Sequence, residues 1–195
     1  MMPYITPDSL MTLEAYAKAR KEYRARVIAH KKNRTIHLGK HVTLLFEDEL
    51  TIRYQVQEML RIEKIFEEEG IRDELAAYNP LIPDGRNWKA TMLIEYEDAD
   101  LRKQMLSRLI GVEDRVWVRV ADFSKVYAIA DEDLERDRAD KTSSVHFLRF
   151  ELSSDMAAAV KTGADVGMGV DHDNYQASIS EIDPVSRQVL AADLT

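Results

Sequence analysis

The run 48–69 constrains the fold of this chain more than any other segment. At about 100° of rotation per residue, Ile52, Val56, Met59 and Phe66 gather on one side, with Leu60 and Ile62 at its edges. That spacing predicts one long central helix over 48–69, and Gly70 stands where helices commonly close. Arg53, Gln57, Arg61 and Lys64 fall on the opposite face and are expected in solvent. Three polar residues break the pattern: Gln55 lies inside the apolar arc, Glu58 between Ile62 and Ile65, and Glu63 in its middle. A carboxylate there is costly unless it is paired, protonated or bound to a cation. The arc is also wider than one packing partner needs, which a central place in the fold or a homodimer would satisfy.

The flanking segments supply both other helices and strands. Thr6-Pro7 followed by Asp8 or Thr12 can start a helix with Leu13, Tyr16, Tyr23 and Val27 on one face and basic residues on the other, ending near Asn33. Two β-rich runs, 35–38 and 41–46, surround Gly39-Lys40 and read as a hairpin. A short helix over 71–78 stops at Asn79-Pro80. Strands are expected over 88–97, 116–120, 126–129 and 145–152, with a last pair over 166–170 and 175–179. Further helices are expected over 99–110, over 155–162 behind a Ser154 cap, and over 184–194. The acidic stretch 131–140 reads as a helical turn running into a loop. No regular strand–helix–strand period or internal repeat is present, so the expected class is α+β: an antiparallel or mixed sheet with helices packed on it. A boundary near 140 would divide a main part, 1–140, from a strand–helix part, 141–195, packed on it, unless the whole of 1–195 is one domain.

Composition removes several functions. With no cysteine, disulfide frameworks, thiolate zinc sites and cysteine-held iron–sulfur clusters are excluded. There is no glycine-rich phosphate loop, nucleophile elbow, His-Glu-x-x-His or EF-hand loop. No stretch is long and apolar enough for a membrane span or a signal peptide, so a cytoplasmic protein is expected. The net charge of −8 opposes general nucleic-acid binding. Positive charge is nonetheless concentrated between Lys18 and Arg34, where only Glu22 is acidic.

Two constellations are candidate sites. In the first, Glu58 and Glu63 join His37 and His41 around a metal; carboxylates and imidazoles without thiolates suit iron, manganese or zinc. The competing expectation is an ion pair between Glu63 and Arg34, Arg119 or Arg149. In the second, Arg20, Lys21, Arg24, Lys31 and Lys32 form a docking face for an acidic partner or for RNA. The proline-rich loop 79–86, with Tyr78 and Trp88, has the composition of a recognition loop, although turn chemistry explains most of it.

The segments His30-Lys31-Lys32-Asn33-Arg34, LLFEDELTIRYQVQEMLRIEKIFEEEGI, AYNPLIPDGRNWKATMLIEYED, VYAIADEDLERD and SSVHFLRFEL together resemble an uncharacterised bacterial family, domain of unknown function three-five-zero-one. The likeness covers nearly the whole chain. Members tend to be encoded beside rubrerythrin-like proteins and heterodisulfide-reductase-like iron–sulfur proteins. The resemblance therefore implies a redox or peroxide-defence setting, with such proteins as partners, and carries no catalytic residue with it.

Overall fold

Thr12 opens the first helix, α1 (Leu13–Lys32), by accepting the Ala15 N–H on its hydroxyl, and Asn33 closes it, as predicted. The computed structural model describes residues 4–133, 136 and 140–195. Tyr16, Tyr23 and Val27 are buried against Leu50 and Tyr54 of α2 (Glu49–Glu63), while the rest of α1 faces outward or lies at the margin.

The strands are β1 (Thr35–Leu38), β2 (Val42–Phe46), β3 (Asn87–Ile94), β4 (Val116–Val120), β5 (Val126–Tyr127), β6 (Ile129–Ala130), β7 (Val145–Glu151), β8 (Val166–His172) and β9 (Tyr175–Ile179). They form two sheets, ordered β1-β2-β3-β7-β6 and β5-β4-β8-β9, and every pairing is antiparallel. The fold is α+β. Strand alternation sends Ile36, Leu44, Trp88, Met92 and Phe150 of the first sheet into one core with Val116, Val118, Val166 and Met168 of the second. Segment 141–195 is woven into both sheets, since β7 lies between β3 and β6 and β8 between β4 and β9. No helix among the described residues is long and apolar enough to cross a membrane.

Several boundaries differ from the sequence expectation. Residues 126–129 are not one strand. Val126 and Tyr127 pair with β4, Ile129 and Ala130 pair with β7, and the buried Ala128 between them donates its N–H to the Val116 carbonyl at 2.8 Å. The chain changes sheets there, which a two-residue period cannot reveal because it is the same in either sheet. Ser153, not Ser154, caps α5 (Ser154–Lys161). Of the acidic stretch, Leu134, Glu135 and residues 137–139 lie outside the described residues.

The long helix expected over 48–69 is two helices. α2 ends at Glu63, and α3 (Glu68–Tyr78) begins after a short link. Lys64 adopts the left-handed conformation (φ 55°), its N–H returns to Leu60, and the Ile65 N–H reaches the same carbonyl at 2.9 Å. This is a Schellman closure, with Ile65 and Leu60 in one apolar cluster. Lysine in place of the usual glycine hides the stop from a sequence reader. Gly70 instead lies within α3, where a Cβ would come within 2.8 Å of Ile65 Cγ2. The buried face of α2 packs against α1 on one side and α3 on the other.

Gly169 marks another close approach. Trp117 of β4 lies across it, and a Cβ there would stand 2.5 Å from the indole and 2.8 Å from the Ala177 carbonyl oxygen. Gly169→Ala is expected to cost about 2 kcal/mol by overpacking. Chemical denaturation checks this; an unchanged midpoint would mean that the indole moves aside freely.

Candidate functional site

The predicted four-residue metal set does not assemble. Among the described residues, no group of three or more histidine, aspartate or glutamate side chains is placed to hold a metal ion. Glu63, expected to need a partner, is exposed, because it is the last residue of α2 and the chain turns away after it. The buried face of α2 is Thr51, Ile52, Val56, Gln57 and Leu60, rotated from the expected one, and Ile62 and Phe66 are 60% and 72% exposed. Gln57, expected in solvent, is fully buried. Its amide oxygen accepts the Met11 N–H at 2.8 Å and its amide nitrogen donates to the Met11 carbonyl at 3.3 Å. A glutamine that completes another segment's backbone hydrogen bonds is worth burying.

Glu58 is fully engaged between helices. It accepts two hydrogen bonds from Arg20, at 2.8 and 2.9 Å, one from the Tyr16 hydroxyl at 2.6 Å, and one from Arg61 at 3.3 Å. The Arg20 guanidinium, aided by Tyr16 and Arg61, holds its carboxyl down at about 2. Burial, then Glu58, pushes the Tyr16 hydroxyl well above its ordinary value. Glu58 therefore staples α1 to α2. The three arginines considered as partners of Glu63 are placed elsewhere: Arg34 pairs with Asp193 and Asp48, Arg149 pairs with Glu132 and Glu151, and Arg119 lies 6.0 Å from the Trp117 ring.

His37 and His41 both line one cleft of about 900 Å³. Strand register explains its floor. Thr43 faces His37 on β1 and Leu93 on β3, and Leu93 faces Val145 on β7, so all four side chains share the outer face of the first sheet. The loop after β3 and the start of α4 (Ala99–Arg108) form a wall, including Tyr96, Asp98 and Arg102. The histidine-bearing turn is pinned from β9: the Tyr175 hydroxyl accepts the His41 N–H at 3.1 Å and donates to the Leu38 carbonyl at 2.5 Å. Gly39 (φ 71°) permits that approach, since a Cβ would stand 2.6 Å from the hydroxyl oxygen.

Hydrogen-bond polarity fixes both imidazoles. The Thr43 hydroxyl donates to the Glu95 carboxylate at 2.6 Å, so its oxygen accepts from His37 Nδ1–H at 3.1 Å. His41 Nδ1–H donates to the Glu95 backbone carbonyl at 2.9 Å, and its ring stacks on Tyr96 at 4.0 Å between centroids. In the neutral form, each ring then keeps its lone pair on Nε2. Glu95, Thr43 and Tyr96 were absent from the sequence-derived site. Alternation along β3 and across the hairpin would have put Glu95, Leu93, Thr43 and His37 on one face, but nothing in one sequence says which strands are neighbours.

Arg20 is taken by Glu58, and Lys31 lies 5.7 Å from the Tyr54 ring, whereas Lys21, Arg24 and Lys32 are exposed and make no ion pair among the described residues. The loop 79–86 is anchored inward: Asn79 bonds both the N–H and the carbonyl of Ile5 at 3.0 Å, and the buried Trp88 donates its indole N–H to the Leu190 carbonyl at 2.9 Å.

Fold and cleft define an α+β protein of two antiparallel sheets with a paired-histidine cleft on one outer face. The chain belongs to the family described as Protein of unknown function (DUF3501), whose model matches residues 4–194. It is similar to a crystal structure of a novel protein of unknown function from Burkholderia pseudomallei, with 59% sequence identity and a TM-score of 0.94 over 98% of this chain and 100% of that one. No curated protein matches.

Proposed function

We propose that this protein is a non-catalytic accessory protein that docks an acidic protein partner through the outer face of α1. The observation that carries this reading is one exposed stripe, Lys21, Arg24, Ile28 and Lys32, at helical spacing on a chain of net charge −8. It runs about 16 Å along the helix. Ile28, 51% exposed among the cations, supplies the apolar contact that a purely solvating face does not need. An acidic surface would be attracted there and repelled by most of the remaining molecule, which orients the encounter. The redox setting implied by the family resemblance names the partners to try first, a rubrerythrin-like protein and a heterodisulfide-reductase-like iron–sulfur protein.

The test is retention of those two proteins on the immobilised full chain at low salt. Binding is expected to weaken as salt rises and to fall at least about tenfold in the Lys21→Glu, Arg24→Glu variant. Retention of neither protein, alongside salt-steep binding of a labelled RNA, would replace a protein partner with a nucleic acid.

A further inference from the structure

We infer that His37 and His41 form an exchangeable binding site for a first-row divalent cation, with Nε2 of each ring as ligand. The site is independent of the α1 docking face and does not use Glu58 or Glu63. Two observations converge on it. Both rings line the same cleft, which is open to solvent. Each ring has its Nδ1–H committed to an oxygen, Thr43 Oγ1 for His37 and the Glu95 carbonyl for His41, which leaves Nε2 as the free lone pair. A metal-ligating histidine ordinarily donates its second ring N–H to a carboxylate, backbone carbonyl or water that orients it; His41 does so directly, and His37 reaches the Glu95 carboxylate through the Thr43 hydroxyl.

Glu95 supplies both outer contacts, by its side chain through Thr43 and by its backbone directly to His41. The chain Glu95 carboxylate, Thr43 hydroxyl, His37 imidazole also feeds electron density toward His37 Nε2, so Glu95 and Thr43 are positioning residues. Two imidazoles leave the remaining coordination positions to water or to a small ligand held in the cleft. Imidazole donors without a thiolate favour zinc, nickel or copper over magnesium or calcium.

Zinc ion alone is the probe. Titrated into the full, untagged chain, Zn²⁺ is expected to bind at one equivalent. In long-range proton–nitrogen spectra, the Nε2 signals of His37 and His41 should move while their Nδ1–H protons persist. His37→Gln and His41→Gln should each weaken binding at least about tenfold. Thr43→Val, which touches no metal, should weaken it by roughly 10- to 100-fold. His172→Gln serves as the control; its ring faces the Ile110 carbonyl, outside the cleft, and it should bind as the unaltered chain does. Thermal melts of each variant separate loss of ligand from loss of fold. Absence of stoichiometric binding, or binding unchanged in both His37→Gln and His41→Gln, would overturn the site. Full affinity in folded Thr43→Val would overturn the positioning chain.

Discussion

Arg34→Ala is expected to destabilise the fold by about 4 kcal/mol, the range for breaking a buried ion pair from one side. Arg34 is 4% exposed. Its guanidinium forks onto Asp193 at 2.7 and 2.8 Å and lies 3.0 Å from Asp48, whose other oxygen caps α2 through the Thr51 N–H at 2.9 Å. One side chain thus joins the entry to β1, the start of α2 and the end of α6 (Pro184–Ala191). Removing it leaves two carboxylates close together, the Asp193 side chain only 9% exposed. In a chain of this length the loss corresponds to a fall in Tm of roughly 10 °C.

The pH dependence of that variant carries a sign. Burial already pushes the Asp193 carboxyl up, against the opposing pull of Arg34. Without Arg34 the rise is larger, so the folded variant takes up a proton that the unfolded chain does not. Its stability therefore increases as pH falls from neutrality into the raised carboxylate range. Denaturation at pH 7 and pH 5 should show a smaller deficit at pH 5. Arg34→Met combined with Asp193→Leu should cost less than Arg34→Ala alone, because no unpaired charge stays buried. A deficit under about 1 kcal/mol at pH 7 would show that water relieves the site.

Glu58→Ala and Glu63→Ala should differ sharply although the two residues share a helix. Glu58→Ala removes charge-assisted hydrogen bonds and leaves the buried Tyr16 hydroxyl without its acceptor, a loss of about 3 kcal/mol. The exposed Glu63 should register within about 0.5 kcal/mol. Acid dependence separates them further. The Glu58 carboxyl is held at about 2 in the folded chain, so its contribution is complete above the ordinary carboxylate range. It is lost as pH falls from about 4.5 toward 2. Glu58→Gln should flatten that part of the acid-unfolding curve, and Glu63→Gln should leave it unchanged. Equal effects from the two residues would refute the helix staple.

The contrast between these glutamates shows what was legible in the sequence. Periodicity identified a helix at α2 and placed a polar anomaly on it, and Glu58 is indeed partly buried and paired. The same periodicity failed on Glu63 and Gln57 because the helix stops at Lys64 in a Schellman turn without glycine. An arc averaged across that stop includes Ile62 and Phe66, which are exposed, and so rotates the apparent core face away from Gln57. In the cleft, the hairpin and both histidines were legible, but Glu95 comes some fifty residues later, directly after β3, whose pairing with β2 brings it there. Only strand pairing makes that separation short.

Taken alone, the residues determined local states: α1 with its cap, the β1–β2 hairpin, the α+β class, the absence of thiolate chemistry and the family. The local states follow from propensity, capping and periodicity within a few residues, the absence of thiolate chemistry from the lack of cysteine, and the family from the likeness of whole segments. The tertiary structure decided which face of α2 is buried, that residues 126–130 cross between sheets, that Arg20 and Glu58 satisfy one another, and that His37 and His41 share a cleft with Glu95 while both predicted glutamates lie elsewhere. Each of those outcomes depends on what lies across from a residue in space, and hydrogen-bond satisfaction and burial are settled only when distant segments meet.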